Sequence, residues 1–125
     1  MLVKTSSLAE TIIESAIDVH RALGPGLLES AYEVCLAHEL TLRAVPFRRQ
    51  VAVPLMFKGT RLDCGYRADF IVGDEILVEL RSVELLLPLH QAQLITYLNL
   101  LQVSQGLLIN FNVTRLVDGL RHLLG

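Results

Sequence analysis

Long apolar runs are missing from this 125-residue sequence: none approaches the ~18 residues that cross a bilayer. Residues 1–10 also lack the apolar block and the small-residue cleavage site of a secretory signal. Cysteine is scarce, since Cys35 and Cys64 lie far apart and no C-x-x-C pattern occurs. These absences predict a cytoplasmic protein with no membrane partner, and two free thiols that are buried in the core.

A basic excess is also missing. The net charge is −2 and the isoelectric point is about 6.0, which argues against a strong, sequence-independent binder of nucleic acid. One third of the chain nevertheless concentrates cationic residues: Arg43, Arg48, Arg49, Lys58 and Arg61. They form either a local basic patch that contacts nucleic acid or an ordinary solvated surface, and composition does not choose between the two.

Apolar residues are abundant instead, at 52% of the chain with a mean hydropathy of +0.48. That is high for so small a protein, and it predicts a homo-oligomer in which another subunit covers apolar surface. The leucine-rich segment 85–89 is the candidate contact, because one small domain cannot easily bury it.

Helices are predicted at four places. Ser7 and Glu10 have the spacing of a capping box, and an apolar stripe follows as far as residues 24–26, where glycine and proline end the helix. Further helices are predicted over residues 28–43, from Pro88 through about residue 101, and over residues 113–124.

Strands are predicted over residues 50–57, 61–72, 75–81 and 105–110, with turns at 58–59 and 73–74. The resulting order is ααβββαβα. It predicts one α/β (α+β) domain over residues 1–125, in which helices flank a mixed four-stranded sheet.

Two carboxylates on neighbouring strands form the most informative constellation. Glu79 and Arg81 lie two residues apart on one strand, so they share a face of the sheet. A three-residue turn would set Asp69 directly opposite Glu79, and a two-residue turn would make them diagonal neighbours; their Cβ atoms come within about 4.5–8 Å either way.

Carboxylates this close favour a cation between them, and hard oxygen ligands suit Mg²⁺ or Mn²⁺. The backbone carbonyl of Leu80 is a candidate third ligand. The alternative is a purely structural arrangement in which Asp69 and Glu79 pair with Arg67 and Arg81.

The sequence resembles the PD-(D/E)xK nuclease superfamily, and more specifically its small bacterial and archaeal GxxExxY proteins. Asp69 followed by Glu79-Leu80-Arg81 resembles the core motif of the superfamily. Four segments resemble the GxxExxY branch in the right order: residues 26–32 (GLLESAY), 62–69 (LDCGYRAD), 90–98 (HQAQLITYL) and 107–112 (LLINFN).

The resemblance implies that Asp69 and Glu79 are the metal-binding acids. Glu29 would be the helical acid that completes or supports the metal site, and Gln93 a polar residue that faces it. His90, Tyr32 and Tyr97 are weaker candidates, since each is also expected at a helix start or in the core.

Position 81 departs from the family pattern, which has lysine where this chain has arginine. In the family the lysine is thought to polarise the attacking water, whereas arginine is planar, forked and never deprotonated. Arg81 would either clamp a phosphate or neutralise the two acids without metal. Because Lys4 and Lys58 are the only lysines, no lysine of another element is expected to replace the missing one.

Two functions follow. The first is a Mg²⁺- or Mn²⁺-dependent nuclease whose E-x-R motif makes its activity weak or absent. The second is an inactive nuclease fold that acts as a homo-oligomeric assembly or as a module that binds nucleic acid or protein. A third possibility is a domain that has no biochemical activity apart from its role in an assembly.

Overall fold

The computed structural model describes residues 7–125. Its helices are α1 (Leu8–Leu23), α2 (Glu29–Leu42) and α3 (Pro88–Leu101). Its strands are β1 (Phe47–Ala52), β2 (Leu55–Phe57), β3 (Thr60–Leu62), β4 (Arg67–Val72), β5 (Ile76–Arg81), β6 (Gln105–Asn110) and β7 (Leu120–Leu124).

A five-stranded mixed sheet in the order β1-β4-β5-β6-β7 forms the centre of the fold. Strands β5 and β6 are parallel and are joined through α3, and the other neighbouring pairs are antiparallel. Helices α1 and α2 cover one face through a core that includes Ile12, Leu36 and Phe70. Helix α3 covers the other face with Leu94 and Leu98. The predicted α+β class is confirmed.

The helix predicted over residues 113–124 is wrong. A short 3₁₀ turn, Leu116–Gly119, leads into β7, which pairs antiparallel with β6. The backbone N–H and C=O groups at the edge of β6 need hydrogen-bond partners, and residues 120–124 supply them. The helical pattern of residues 113–124, read on its own, gives no sign of this edge. Gly119 is packed against the backbone carbonyl of Asn110 so closely that a Cβ atom would not fit.

Two predicted strands are each divided. Pro54 interrupts residues 50–57, because proline has no N–H for a ladder, and Gly65 (φ 81°) interrupts residues 61–72. The pieces β2 and β3 pair only with each other, so the main sheet has five strands including β7 rather than the predicted four. Cys64 lies in the exposed segment between β3 and β4, so the prediction that it is buried is wrong. Cys35 is partly buried.

The turn between β4 and β5 has a three-residue loop, which decides between the two predicted registers. Val72 pairs with Ile76, and Glu75 N–H donates to the Val72 carbonyl at 3.0 Å. Gly73 and Asp74 both have positive φ, as a tight hairpin turn requires. None of the helices described within residues 7–125 has both the length and the apolar character needed to cross a membrane.

Candidate functional site

Asp69 and Glu79 lie where β4 and β5 separate. The ladder between the strands ends at Phe70 and Val78, and the same register places Asp69 opposite Glu79. Glu79 Oε2 accepts a hydrogen bond from the Asp69 N–H at 2.6 Å, and Asp69 Oδ2 accepts one from the Leu80 N–H at 2.8 Å. Both carboxylates are therefore held at the open end of the strand pair, and Asp69 Oδ1 and Glu79 Oε1 take no part in these two hydrogen bonds.

Arg81 lies across these groups. Its Nη1 donates to the Leu80 carbonyl at 2.7 Å and lies 3.8 Å from Glu79 Oε1 and 4.0 Å from Glu29 Oε1. The guanidinium is thus in electrostatic contact with two acids without a direct hydrogen bond to either. Its side chain is only 13% exposed, so the cation is largely enclosed by the site.

Gln93 and Tyr97, on α3, hold the other end of the guanidinium. Gln93 Oε1 accepts from Arg81 Nη2 at 3.0 Å, and Gln93 Nε2 donates to the Tyr97 hydroxyl at 3.1 Å. Tyr97 is buried, and burial raises the pKa of its hydroxyl. The predicted placement of Gln93 beside the site is observed, and Tyr97 belongs to the same hydrogen-bonded chain.

Glu33 and Gln50 also reach the site, although sequence reasoning did not single them out. The Gln50 amide donates to Glu33 at 2.9 Å and to Asp69 Oδ1 at 3.3 Å, and Arg49 donates to Glu33 at 2.8 Å. Glu33 lies one helical turn after Glu29 and so shares its face of α2, which is the feature of the sequence that could have predicted it at the site. Nothing in the sequence marked Gln50, which has a φ of 51° and lies opposite Asp69 at the one position between Phe47 and Ala52 where the β1–β4 ladder has no pair.

The electrostatics follow from burial of like charges. The pKa of Glu79 is raised to about 8, chiefly by burial and also by the charge of Asp69, although the Asp69 N–H and Arg81 oppose the rise. The pKa of Asp69 is raised chiefly by burial and lowered by the Leu80 N–H. Burial also raises the pKa of Glu29, against the effect of Arg81. Glu79 therefore binds a proton at neutral pH when no further cation is present.

The oxygen donors agree in chemistry with Mg²⁺ or Mn²⁺, the cations used widely by the fold family. Among residues 7–125, however, no three acidic, histidine or cysteine side chains form a metal-binding group. A cation would use the remaining oxygens of Asp69 and Glu79 together with the Leu80 carbonyl. Arg81 already donates to that carbonyl, so its guanidinium competes with a cation for the same oxygen.

The remaining predicted residues have structural contacts. The Tyr32 hydroxyl accepts from the Leu27 N–H at 3.1 Å and donates to the Gly24 carbonyl at 2.6 Å, so Tyr32 joins α1 to α2. His90 Nδ1 accepts from the Leu87 N–H at 2.8 Å at the start of α3. Arg67 lies 3.7 Å from Asp63 and donates to the Tyr66 carbonyl, so it does not form the alternative pair with Asp69.

The fold is a mixed sheet with helices on both faces. Two acids lie on adjacent strands, and Arg81 follows the second acid by two residues. This combination defines a nuclease-like class of domain. A family model described as the PD-(D/E)XK nuclease superfamily matches residues 6–123. Because the match covers nearly the whole chain, the protein belongs to this superfamily. No curated protein and no solved structure matches it significantly. Membership of the GxxExxY branch stays a prediction.

Proposed function

We propose that this protein is a metal-dependent nuclease of low activity, which hydrolyses phosphodiester bonds of nucleic acid at the Asp69–Glu79 pair. The observation that carries the proposal is the fixed orientation of the two carboxylates, each bound through one oxygen to the opposing strand. Superfamily membership supports the reaction class.

Asp69, Glu79 and the Leu80 carbonyl would hold Mg²⁺ or Mn²⁺, with Glu29 in support. When bound, such a cation neutralises phosphate charge and makes water more acidic. Arg81 is suited to grip a phosphate through its two-pronged guanidinium, and Gln93 keeps it at the site. Glu33 and Gln50 orient Asp69 from the opposite side.

Low activity follows from Arg81. In its observed position the guanidinium donates to the Leu80 carbonyl and lies close to Glu79. Arg81 therefore competes with a metal for the oxygens of these two residues. Arginine also lacks the compact ammonium of the family lysine. Loss of one well-positioned charge-stabilising group lowers rates by roughly 10²–10³-fold in other enzymes.

The test is a nuclease assay on DNA and RNA with Mg²⁺ and with Mn²⁺. We expect Arg81→Lys to raise the cleavage rate at least tenfold over wild type (on the order of 1.4 kcal/mol) and Asp69→Ala to abolish cleavage. Arg121→Lys, the same exchange on β7, serves as the matched control and should leave the rate unchanged. Cleavage that persists in Asp69→Ala contradicts the proposed site.

A second candidate is a catalytically inactive nuclease fold that acts as a homo-oligomeric assembly or binding module. The contacts of Arg81 favour this candidate. Because its guanidinium already places a positive charge beside the acids, no metal ion is needed to balance them. Calorimetric titration with Mn²⁺ separates the two candidates. Heat of binding in wild type supports the nuclease, whereas binding that appears only in Arg81→Lys, without cleavage by either protein, supports the inactive module.

A further inference from the structure

Residues 54–66, here called the arm, leave the main sheet as a separate hairpin between β1 and β4. The β1–β4 ladder ends at Ala52 and Arg67, and Val53 N–H donates to the Tyr66 carbonyl at 2.9 Å to close the base. Residues 56–67 are exposed throughout. An isolated two-stranded hairpin is only marginally stable in water. We therefore expect this exposed hairpin to bind a partner rather than to stabilise the fold.

The base of the arm lies at the acid pair. Arg67 is two residues from Asp69 on β4, and the ring of Tyr66 packs edge-on against Tyr97 with centroids 6.1 Å apart. Tyr97 in turn accepts from Gln93, which holds Arg81. A polymer that lies along the arm would therefore pass close to the site.

Cations lie next to exposed apolar side chains on the arm. It has two cations (Lys58 and Arg61) and one acid (Asp63), and Arg67 follows at its base, in a chain whose net charge is −2. Met56 and Phe57 are 58% and 63% exposed, Met56 pairs across the hairpin with Arg61, and the Lys58 ammonium lies 5.6 Å from the centroid of the Phe57 ring. Basic residues beside an exposed aromatic suit the phosphates and bases of a nucleic acid strand.

A second copy of the chain is a poorer occupant. Two identical arms brought together would oppose cation to cation. Phosphates, by contrast, are complementary to the arm. They are repelled by the carboxylates at the site, Glu29, Glu33 and Asp69, so a nucleic acid substrate needs positive charge next to them.

We propose that the arm binds the phosphate backbone of nucleic acid and guides it to the Asp69–Glu79 pair. This inference rests on the proposed function for the identity of the substrate. Binding through the arm nevertheless requires neither metal nor cleavage, so the two can be tested separately.

The test measures binding of a fluorescein-labelled single-stranded DNA, and of its duplex, by fluorescence anisotropy in EDTA over a range of salt concentrations. Lys58→Gln/Arg61→Gln should weaken duplex binding about tenfold at low salt. It should also make the log–log salt dependence shallower by roughly two, since each lost phosphate contact removes about 0.9. Phe57→Ser should weaken single-strand binding more than duplex binding.

Arg21→Gln/Arg115→Gln is the matched control, because it removes two exposed arginines beside α1 and the 3₁₀ turn. It should change affinity less than twofold. Equal losses in both double variants would overturn the inference, as would wild-type protein that fails to bind either DNA. Light scattering that shows Phe57→Ser dissociating an oligomer, with DNA affinity unchanged, would also overturn it.

Failure of the proposed function gives a different result. DNA binding that depends on the arm, without cleavage by wild type or Arg81→Lys, leaves the arm inference intact and excludes the nuclease. Cleavage whose KM is unaffected by Lys58→Gln/Arg61→Gln supports the nuclease and excludes the arm. A circular dichroism melt of each variant confirms that it is folded.

Discussion

Asp69 and Glu79 replace the hydrogen bonds of the ladder at the point where their strands separate. The Asp69 N–H donates to the Glu79 carboxylate at 2.6 Å, and the Leu80 N–H donates to the Asp69 carboxylate at 2.8 Å. The backbone thereby gains partners that the neighbouring strand no longer supplies. One arrangement thus satisfies the backbone and orients two acids, so the pair has both a structural and a chemical role.

The buried Glu79 should make stability depend on pH. Its pKa is about 8 in the folded protein against 4.5 ordinarily, so the folded state binds the proton more tightly. Its contribution to the free energy of unfolding is therefore greatest below about pH 4.5 and is lost as pH rises toward 8. Glu79→Gln removes this titration, so the variant should gain on wild type by on the order of a few kcal/mol between these pH values.

Urea denaturation of both proteins across this pH range, in EDTA, measures the effect. Glu84→Gln, an exposed exchange on the loop after β5, is the control and should follow the wild-type profile. A constant difference between Glu79→Gln and wild type across the range would contradict the prediction.

The backbone of Gln50 should be strained. Its φ of 51° lies in the left-handed region, which costs a residue with a Cβ about 1–2 kcal/mol. Gln50→Ala and Gln50→Gly both lose the amide that contacts Asp69, but only glycine relieves the strain. We expect Gln50→Gly to be more stable than Gln50→Ala by about 1 kcal/mol in urea denaturation.

The neighbouring strand residue Arg49 supplies the control. There we expect the opposite order, with Arg49→Gly less stable than Arg49→Ala by about 0.5–1 kcal/mol, because glycine weakens ordinary strand positions. The same order at both positions would show that Gln50 is not strained.

The Tyr32 hydroxyl should stabilise the connection between α1 and α2. It bonds the Leu27 N–H and the Gly24 carbonyl, and the ring stacks on Phe111 at 4.4 Å. Tyr32→Phe leaves both backbone groups without this partner and should lower the free energy of unfolding by about 1–3 kcal/mol. Tyr66→Phe, on the exposed arm, should change it by less than about 0.5 kcal/mol. Equal effects in thermal or urea denaturation would exclude this role of Tyr32.

The leucines around the start of α3 should mediate self-association. Leu85, Leu87 and Leu89 are 70%, 49% and 75% exposed, which is unfavourable unless a second subunit covers them. We expect wild type to be an oligomer at micromolar concentration in light scattering, and Leu85→Ser/Leu89→Ser to be a monomer. Val34→Ser/Leu42→Ser, at exposed positions of α2, should remain oligomeric. A monomeric wild type would refute this assembly.

Local patterns in the sequence predicted much of the fold. Helical periodicity placed α1, α2 and α3, and Ser7 accepts the Glu10 N–H at 3.1 Å, which is one of the two hydrogen bonds of the predicted capping box. Strand alternation put Glu79 and Arg81 on one face, because successive side chains point to opposite sides. The order of the motifs correctly predicted the superfamily.

Features that depend on partners distant in sequence were decided only by the tertiary structure. Residues 120–124 are a strand because β6 has an edge to fill, and Gln50 has a left-handed φ where its amide contacts Glu33 and Asp69. Arg81 donates to the Leu80 carbonyl through one nitrogen and to Gln93 of α3 through the other. The sequence by itself determined which acids are present and which strands hold them. Long-range packing decided what surrounds those acids, because that packing brings α2, α3 and β1 to the place where β4 and β5 separate.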